Sequence, residues 1–279
     1  MTSIGVVTDS TADLQPAVQE HLGVAVVPLI INWDGQTYRD KIDLTQADFY
    51  RRLRTSKSLP RTGAPSLAAF ETAFREQLKQ HDAVLSVNLA AGLSGTYEVA
   101  RRAAESVDPQ RIAVVDSGSV SVCLGWLAEI AADLARQGAG LAEIVEHLED
   151  VRGRVRILAL LETLAFLQRG GRIGRAAALA GTLLNVKPIL SVKDGEVAPV
   201  ERVRTMNGAL RRLVELVVGQ GPVERLGVID ADAATNAAEV EKNLRERYPD
   251  LTVERGELGP VVGTHGGPGV VGVGVLLAR

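Results

Sequence analysis

The chain has 279 residues, 46% of them hydrophobic, 23% charged and 4% aromatic, with a formal net charge of −3. That length favours two domains with a ligand cleft between them, since single cores stop growing near this size. The acidic balance and the scarcity of Phe, Trp and Tyr argue against a nucleic-acid surface, which needs basic charge and stacking rings.

Cys123 is the single cysteine, so an intrachain disulfide and a cysteine-based metal cluster are excluded. Its apolar neighbours predict a buried, inert thiol. The four histidines, at 21, 81, 147 and 265, have no metal-ligand spacing, and the first three are expected to be solvated. The N-terminus has no basic n-region and no apolar segment reaches spanning length, so a cytoplasmic protein with no membrane span is expected.

In chain order, Ile4 to Val7 reads as a first strand, followed by the polar loop Thr8 to Leu14 and a helix from Pro16 to Leu22 stopped by Gly23. This is the strand, loop and helix unit of a parallel sheet, whose ligands sit at the carboxyl ends of the strands. Val24 to Ile31 reads as a second strand, Asp34-Gly35 as a turn, and Thr45 with Asp48 as a capping box for a helix from Gln46 to Thr55. Ser58 to Ser66, with Pro60 and Pro65, is a stiffened loop that holds Thr62 just before a helix from Leu67 to Lys79.

The stretch from Val84 to Tyr97 runs from a buried strand through Gly92-Leu93-Ser94-Gly95 into a helix. The first N–H groups of that helix favour an anion, so Ser94 stands where a carboxylate or phosphate would be held. Serine is also a default helix cap, and the residues alone leave both readings open. A strand from Arg111 to Asp116 and helices from Val120 to Arg136 and Leu141 to Val151 complete a mostly parallel α/β domain over residues 1–153.

From 154 to 279 the pattern changes. Val155 to Leu161 is a strand, Leu164 to Arg169 a short helix broken by Gly170-Gly171, and Arg175 to Val186 a helix rich in small residues. Pro188 to Lys193, Asp194-Gly195 and Glu196 to Arg202 form the strongest hairpin signal in the chain. Helices from Asn207 to Val218 and Thr235 to Arg247 alternate with strands at Leu226 to Asp230, Thr252 to Arg255 and Val270 to Leu277, which predicts an α+β domain with a mixed sheet. His265 lies in the glycine-rich loop Gly263 to Gly269, where an imidazole can donate to an anion or move a proton.

Two motifs fail on context. Gly267 to Gly272 spells Gly-x-Gly-x-x-Gly, but too little chain follows it to build a dinucleotide site, and no P-loop occurs. No cofactor is expected. Gly92 to Thr96 nearly reads as a hydrolase nucleophile elbow, with the second glycine one place early.

Asp9-Ser10-Thr11-Ala12-Asp13-Leu14, Thr62-Gly63-Ala64-Pro65-Ser66, Gly92 to Tyr97, Gly170-Gly171-Arg172-Ile173, Lys187 to Leu190, Arg202 to Thr205 and Gly263 to Gly269 occur in this order over nearly the whole chain. Together they resemble the DegV family of fatty-acid-binding proteins. The resemblance implies two α/β domains with a long-chain fatty acid between them, its carboxylate held by Ser94 and Thr62. It also implies similarity to the binding subunits of bacterial fatty acid kinase, which present the carboxylate to a separate ATP-binding subunit for conversion to acyl phosphate. Such a subunit is a carrier and not itself an enzyme.

On that reading His265, Arg172, Arg202 and Arg204 contact the carboxylate or the transferring phosphoryl group, and Arg169 and Arg175 belong to a docking face. The helices around Ala176 to Leu184 and Val120 to Ala132 would line the tail tunnel. The chain departs from the family's usual Thr-Ser-Gln-Pro-Ser at Gly63-Ala64. The rival readings are a small-ester hydrolase with Ser94 as nucleophile and His265 as base, and a regulatory protein that senses an acyl ligand.

Overall fold

The computed structural model describes residues 3–179 and 186–279. The first part of the chain comprises β1 (Ile4–Asp9), α1 (Pro16–Leu22), β2 (Ala25–Val27), β3 (Ile30–Trp33), β4 (Gln36–Arg39), α2 (Gln46–Thr55), β5 (Arg61–Gly63), α3 (Leu67–Leu78), β6 (Ala83–Asn88), α4 (Thr96–Val107), β7 (Ile112–Asp116), α5 (Val122–Arg136) and α6 (Leu141–Arg154). The second comprises β8 (Val155–Leu160), α7 (Ala165–Arg169), β9 (Lys187–Lys193), β10 (Glu196–Val203), α8 (Met206–Val218), β11 (Val223–Ala231), α9 (Ala234–Arg247), β12 (Val253–Glu257), α10 (Pro260–Gly266) and β13 (Val270–Leu277).

Four strands form a parallel sheet in the order β2-β1-β6-β7. Every residue of β1 and β6 is buried, because helices cover both faces. Phe70 and Phe74 of α3 and Ala100 and Ala103 of α4 pack with Val7 and Val84 on one side, while Leu124 and Leu127 of α5 share a core with Leu85 and Val87 on the other. Two-sided burial is why these strands read as continuous apolar runs instead of alternating ones.

The other main sheet has six strands in the order β10-β9-β8-β13-β11-β12, with β11 and β12 parallel and the remaining pairs antiparallel. Leu210 and Leu213 of α8 and Val240 and Leu244 of α9 cover one face. The opposite face receives α5. A Cβ at Gly227 or Gly274 would lie 2.9 or 2.5 Å from the Val122 side chain, so these two glycines let α5 rest directly on the strands. The α/β architecture expected from the sequence, a parallel sheet followed by a mixed one, is the architecture observed.

Four local expectations need correction. Val24 to Ile31 is not one strand: Pro28, which has no N–H to donate, stands between β2 and β3, and β3 pairs instead with β4 and β5 in a small antiparallel sheet. The proline-stiffened loop therefore contains a strand, β5. The expected helix from Arg175 to Val186 is a 3-10 segment over Gly174–Leu179, and its positions 180–185 lie outside the described residues. His265 sits on the last turn of α10 and not in a loop, since Pro260 at the first turn and the 2.8 Å bond from Gly267 N to Gly263 O make Gly263 to Gly266 helical.

Candidate ligand-binding site

Buried Asp9, at the carboxyl end of β1, fixes the frame of the site. Its Oδ1 accepts from Thr11 N at 3.1 Å and Thr11 Oγ1 at 2.5 Å, and its Oδ2 from Leu89 N at 2.8 Å. Burial pushes its pKa up, against the downward pull of those bonds. The carboxylate thereby ties the turn after β1 to the end of β6, at the edge where parallel sheets place ligands.

Beyond that edge the chain turns back on itself, with Leu93 N and Ser94 N donating to Ala90 O at 2.9 and 3.2 Å. Ser94 Oγ accepts from Thr96 N at 3.3 Å and lies 2.9 Å from Thr96 Oγ1. Neither Ser94 nor Thr96 is the N-cap of α4, a place taken by Gly95 with no side-chain cap bond; Ser94 closes the turn just before it and lines the large cavity between the sheets. A Cβ on Gly92 would lie 2.5 Å from Gly195 O, so the turn of the β9–β10 hairpin closes directly over the Ser94 loop. Asp194 and Gly195 have φ of 54° and 75°, as a two-residue hairpin turn with Asp-Gly requires.

Thr62 reaches the same cavity from β5, where it is registered opposite Ile31. Its Oγ1 is 2.7 Å from His265 Nε2. Burial, then the neighbouring Arg172 cation, lower the His265 pKa to about 4, so the ring is neutral near pH 7. His265 Nδ1 is buried without a partner. A buried N–H left unpaired is costlier than an idle lone pair beside a cation, so the proton belongs on Nε2, which donates to Thr62 Oγ1. That arrangement leaves the Thr62 hydroxyl proton available to an acceptor in the cavity.

Arg172 bridges the two sides. Its Nε donates to Leu93 O at 3.2 Å and its Nη1 to Gly170 O at 2.9 Å. Gly170 must be glycine, because a Cβ there would lie 2.3 Å from His265 Nδ1. Thr62, Ser94, Arg172 and His265 thus gather at one end of a cavity with about 1010 Å³ of atom-free space, part of it open to solvent. The rest of the wall is mostly apolar, including Leu29, Ile157, Leu161, Leu190, Val261 and Val270, with the hydroxyls of Thr11, Ser121 and Ser191 among them.

The other expected site residues lie elsewhere. Arg202, on β10, and Arg204 are exposed and do not line the cavity. Arg175 donates to Lys193 O at 2.6 Å and pairs with Asp194 and Glu196, holding the 3-10 segment on the hairpin. From α5 and its approach only Val120 and Ser121 reach the cavity, and Ala176 does not. The wall comes mainly from strands and α10, because the glycines of the mixed sheet bring α5 too close to leave space. His81 is half-buried, not solvated, with Nδ1 unpaired, whereas Cys123 is buried as expected, which raises its pKa to about 12. Among the described residues no group of His, Cys, Asp or Glu could hold a metal ion, and no helix is long and apolar enough to cross a membrane.

Sequence reasoning missed Asp40, whose partner Ser10 lies 30 positions away. Asp40 Oδ2 accepts from Ser10 Oγ at 2.7 Å, while Oδ1 is buried and unpaired. Burial raises its pKa to about 6. The unfolded carboxyl ionises near 3.8, so the cost of the buried charge is absent below that pH, grows from there to pH 6, and is fully present above it. Asp40→Asn is expected to raise stability at pH 7.5 by on the order of 3 kcal/mol, at about 1.4 kcal/mol per pKa unit. The gain should vanish at pH 3.5. His265 has the opposite slope, because its lowered pKa costs stability as pH falls from 6.5 towards 4, so the variant should lose stability over that range more steeply than wild type. Thermal unfolding of both proteins across pH 3.5–7.5 measures this.

Two α/β units that enclose an apolar chamber with hydroxyls and a guanidinium at one end define a protein built to hold an amphipathic ligand between them. The chain belongs to the DegV family: residues 3–278 match the family described as "Uncharacterised protein, DegV family". It is 35% identical to Protein DegV of Bacillus subtilis over 275 residues, 97% of this chain and 98% of the relative. A DegV domain-containing protein of Deinococcus radiodurans is 39% identical over 277 residues, 97% of each chain. Among solved structures, a DegV family protein from Thermus thermophilus, described by its fatty acid binding, superposes with a TM-score of 0.93 at 33% identity over 99% of this chain and 100% of the other. DegV of Bacillus subtilis, described as a fatty acid binding protein, gives 0.90 at 34% identity over 100% of both. A stearic-acid-binding protein from Eubacterium ventriosum gives 0.88 at 26% identity over 99% and 98%.

Proposed function

We propose that the protein binds one long-chain fatty acid, such as palmitate or oleate, and presents its carboxylate to a separate ATP-dependent kinase subunit in the cytoplasm. The observation that carries this reading is the chamber itself, with a mostly apolar wall and its one cationic side chain, Arg172, grouped with Thr62, Ser94 and His265. Each buried methylene contributes about 0.8 kcal/mol, so the tail supplies most of the affinity and the polar end sets its direction. The fatty acid binding described for the Thermus thermophilus and Bacillus subtilis proteins supports the ligand class.

In the transfer step one carboxylate oxygen attacks the terminal phosphorus of ATP, forming an O–P bond as the bond to the leaving ADP breaks. No proton moves, because the carboxylate is already ionised. This fits a neutral His265 that orients Thr62 instead of acting as a base. Ser94 and His265 each hydrogen-bond a threonine and not each other, which favours a carrier over a serine hydrolase. Arg202 and Arg204, outside the chamber wall, can act only on a partner that approaches their face.

Protein purified without added lipid is expected to release close to one fatty acid per chain on denaturing extraction, as read by lipid mass spectrometry. Delipidated protein should gain about 2.7 kcal/mol of stability when free oleate stands a hundredfold above its dissociation constant. Folded protein that carries no fatty acid and takes up neither palmitate nor oleate would end the carrier reading.

A further inference from the structure

A second concavity lies outside the Thr62–His265 pair and shares Thr62, Arg172 and His265 with the chamber. Its remaining wall brings in Lys57 and Arg61 from one side and Arg169, at the end of α7, from the other. No carboxylate lines it. Cations elsewhere in the chain are commonly neutralised: Arg39 pairs with Asp43, Arg225 with Glu129 and Glu254, and Arg255 with Asp230. Lys57, Arg61, Arg169 and Arg172, by contrast, make no ion pair with any described residue. A concavity lined by one sign of charge focuses field and concentrates counter-ions.

We propose that this cationic collar is a binding site for an oligophosphate, with at least two linked phosphates spanning Lys57 and Arg61 on one side and Arg169 and Arg172 on the other. Four positive charges exceed what a single bound carboxylate neutralises, whereas a diphosphate or triphosphate chain matches them in charge. Guanidinium groups bind phosphate oxygens in pairs and lysine adds a compact charge, so the mixture suits a chain of phosphates. The shared wall sets the bound anion next to the polar end of the chamber. The inference rests on the fatty-acid reading only for what the phosphates are doing there, since the charge distribution stands without it.

The test uses full-length protein loaded with oleate and, separately, delipidated protein. Pyrophosphate binding is titrated by calorimetry in magnesium-free buffer, beside sulfate at equal ionic strength. The variants are Lys57→Gln, Arg61→Gln and Arg169→Gln, singly and together; these side chains lie outside the tail chamber. Pyrophosphate should bind at least tenfold more tightly than sulfate, and the triple variant should weaken it at least tenfold while oleate affinity stays within twofold of wild type. Pyrophosphate no tighter than sulfate, or equally tight in the triple variant, overturns the proposal whatever oleate does. Hexaglutamate binding as tightly as pyrophosphate, with the same response to the variants, also overturns it by assigning the collar to an acidic protein surface. Failure of oleate to bind wild type, with pyrophosphate still held by the collar, would instead sink the carrier reading and leave this one standing.

Discussion

Arg172→Ala protein loaded with oleate and supplied with ATP and the kinase subunit is expected to form acyl phosphate at least about a hundredfold more slowly than wild type. The guanidinium is anchored to Leu93 O and Gly170 O through Nε and Nη1, so it is held in place before any ligand arrives. Charge spreads over the phosphoryl oxygens during transfer, and a cation already fixed beside them needs no reorganisation at that moment. Oleate affinity should fall much less, by about tenfold or under, because the tail and both hydroxyls are untouched. Equal losses in a binding titration and in a radiolabelled ATP assay on the same preparations would confine Arg172 to ground-state binding. The Arg202→Ala protein is the matched comparison, with oleate binding unchanged because that side chain lies outside the chamber.

The sequence revealed those features that rest on contiguous residues. Gly23 as a helix stop, the Asp194-Gly195 turn and the Ser66 cap, which accepts from Ala69 N at 3.2 Å, are local in origin and were legible. The small antiparallel sheet was not, because β5 is only three residues long and has strand geometry only by pairing with β3, some thirty positions earlier. Of the site, Ser94 and Thr62 stood out through their loops, and His265 through its glycines.

The reason for those glycines was misread. Gly263 is part of α10 and not of a loop, and a Cβ there would lie 2.3 Å from Tyr50 Oη. Asp40 and the collar were invisible because each exists only where distant segments meet, although Lys57 and Arg61, flanking Leu59-Pro60 just before Thr62, were a faint signal. The same contrast separates Arg172 from Arg202: both stand in family motifs, and only the fold tells which faces the chamber.

Thr62→Val and Ser94→Ala are each expected to weaken oleate binding by ten- to a hundredfold, since a hydrogen bond to a charged group contributes about 1.5–3 kcal/mol. The two losses should differ in kind. Valine at 62 keeps the shape of threonine but leaves the His265 Nε2–H buried without an acceptor, so that variant should also unfold at lower temperature before any ligand is added. Alanine at 94 removes a turn bond from Thr96 N that measures 3.3 Å, a weak bond whose loss costs little stability. If each hydroxyl serves a different carboxylate oxygen, the double variant should lose close to the product of the single losses; if both serve the same oxygen, it should lose less. Oleyl alcohol separates headgroup from tail. Lacking the charge, it should bind all four proteins within about threefold of one another. Calorimetric titration of oleate and oleyl alcohol into wild type, the two single variants and the double variant gives the complete cycle, and an alcohol that loses as much as the acid would move the headgroup away from Thr62 and Ser94.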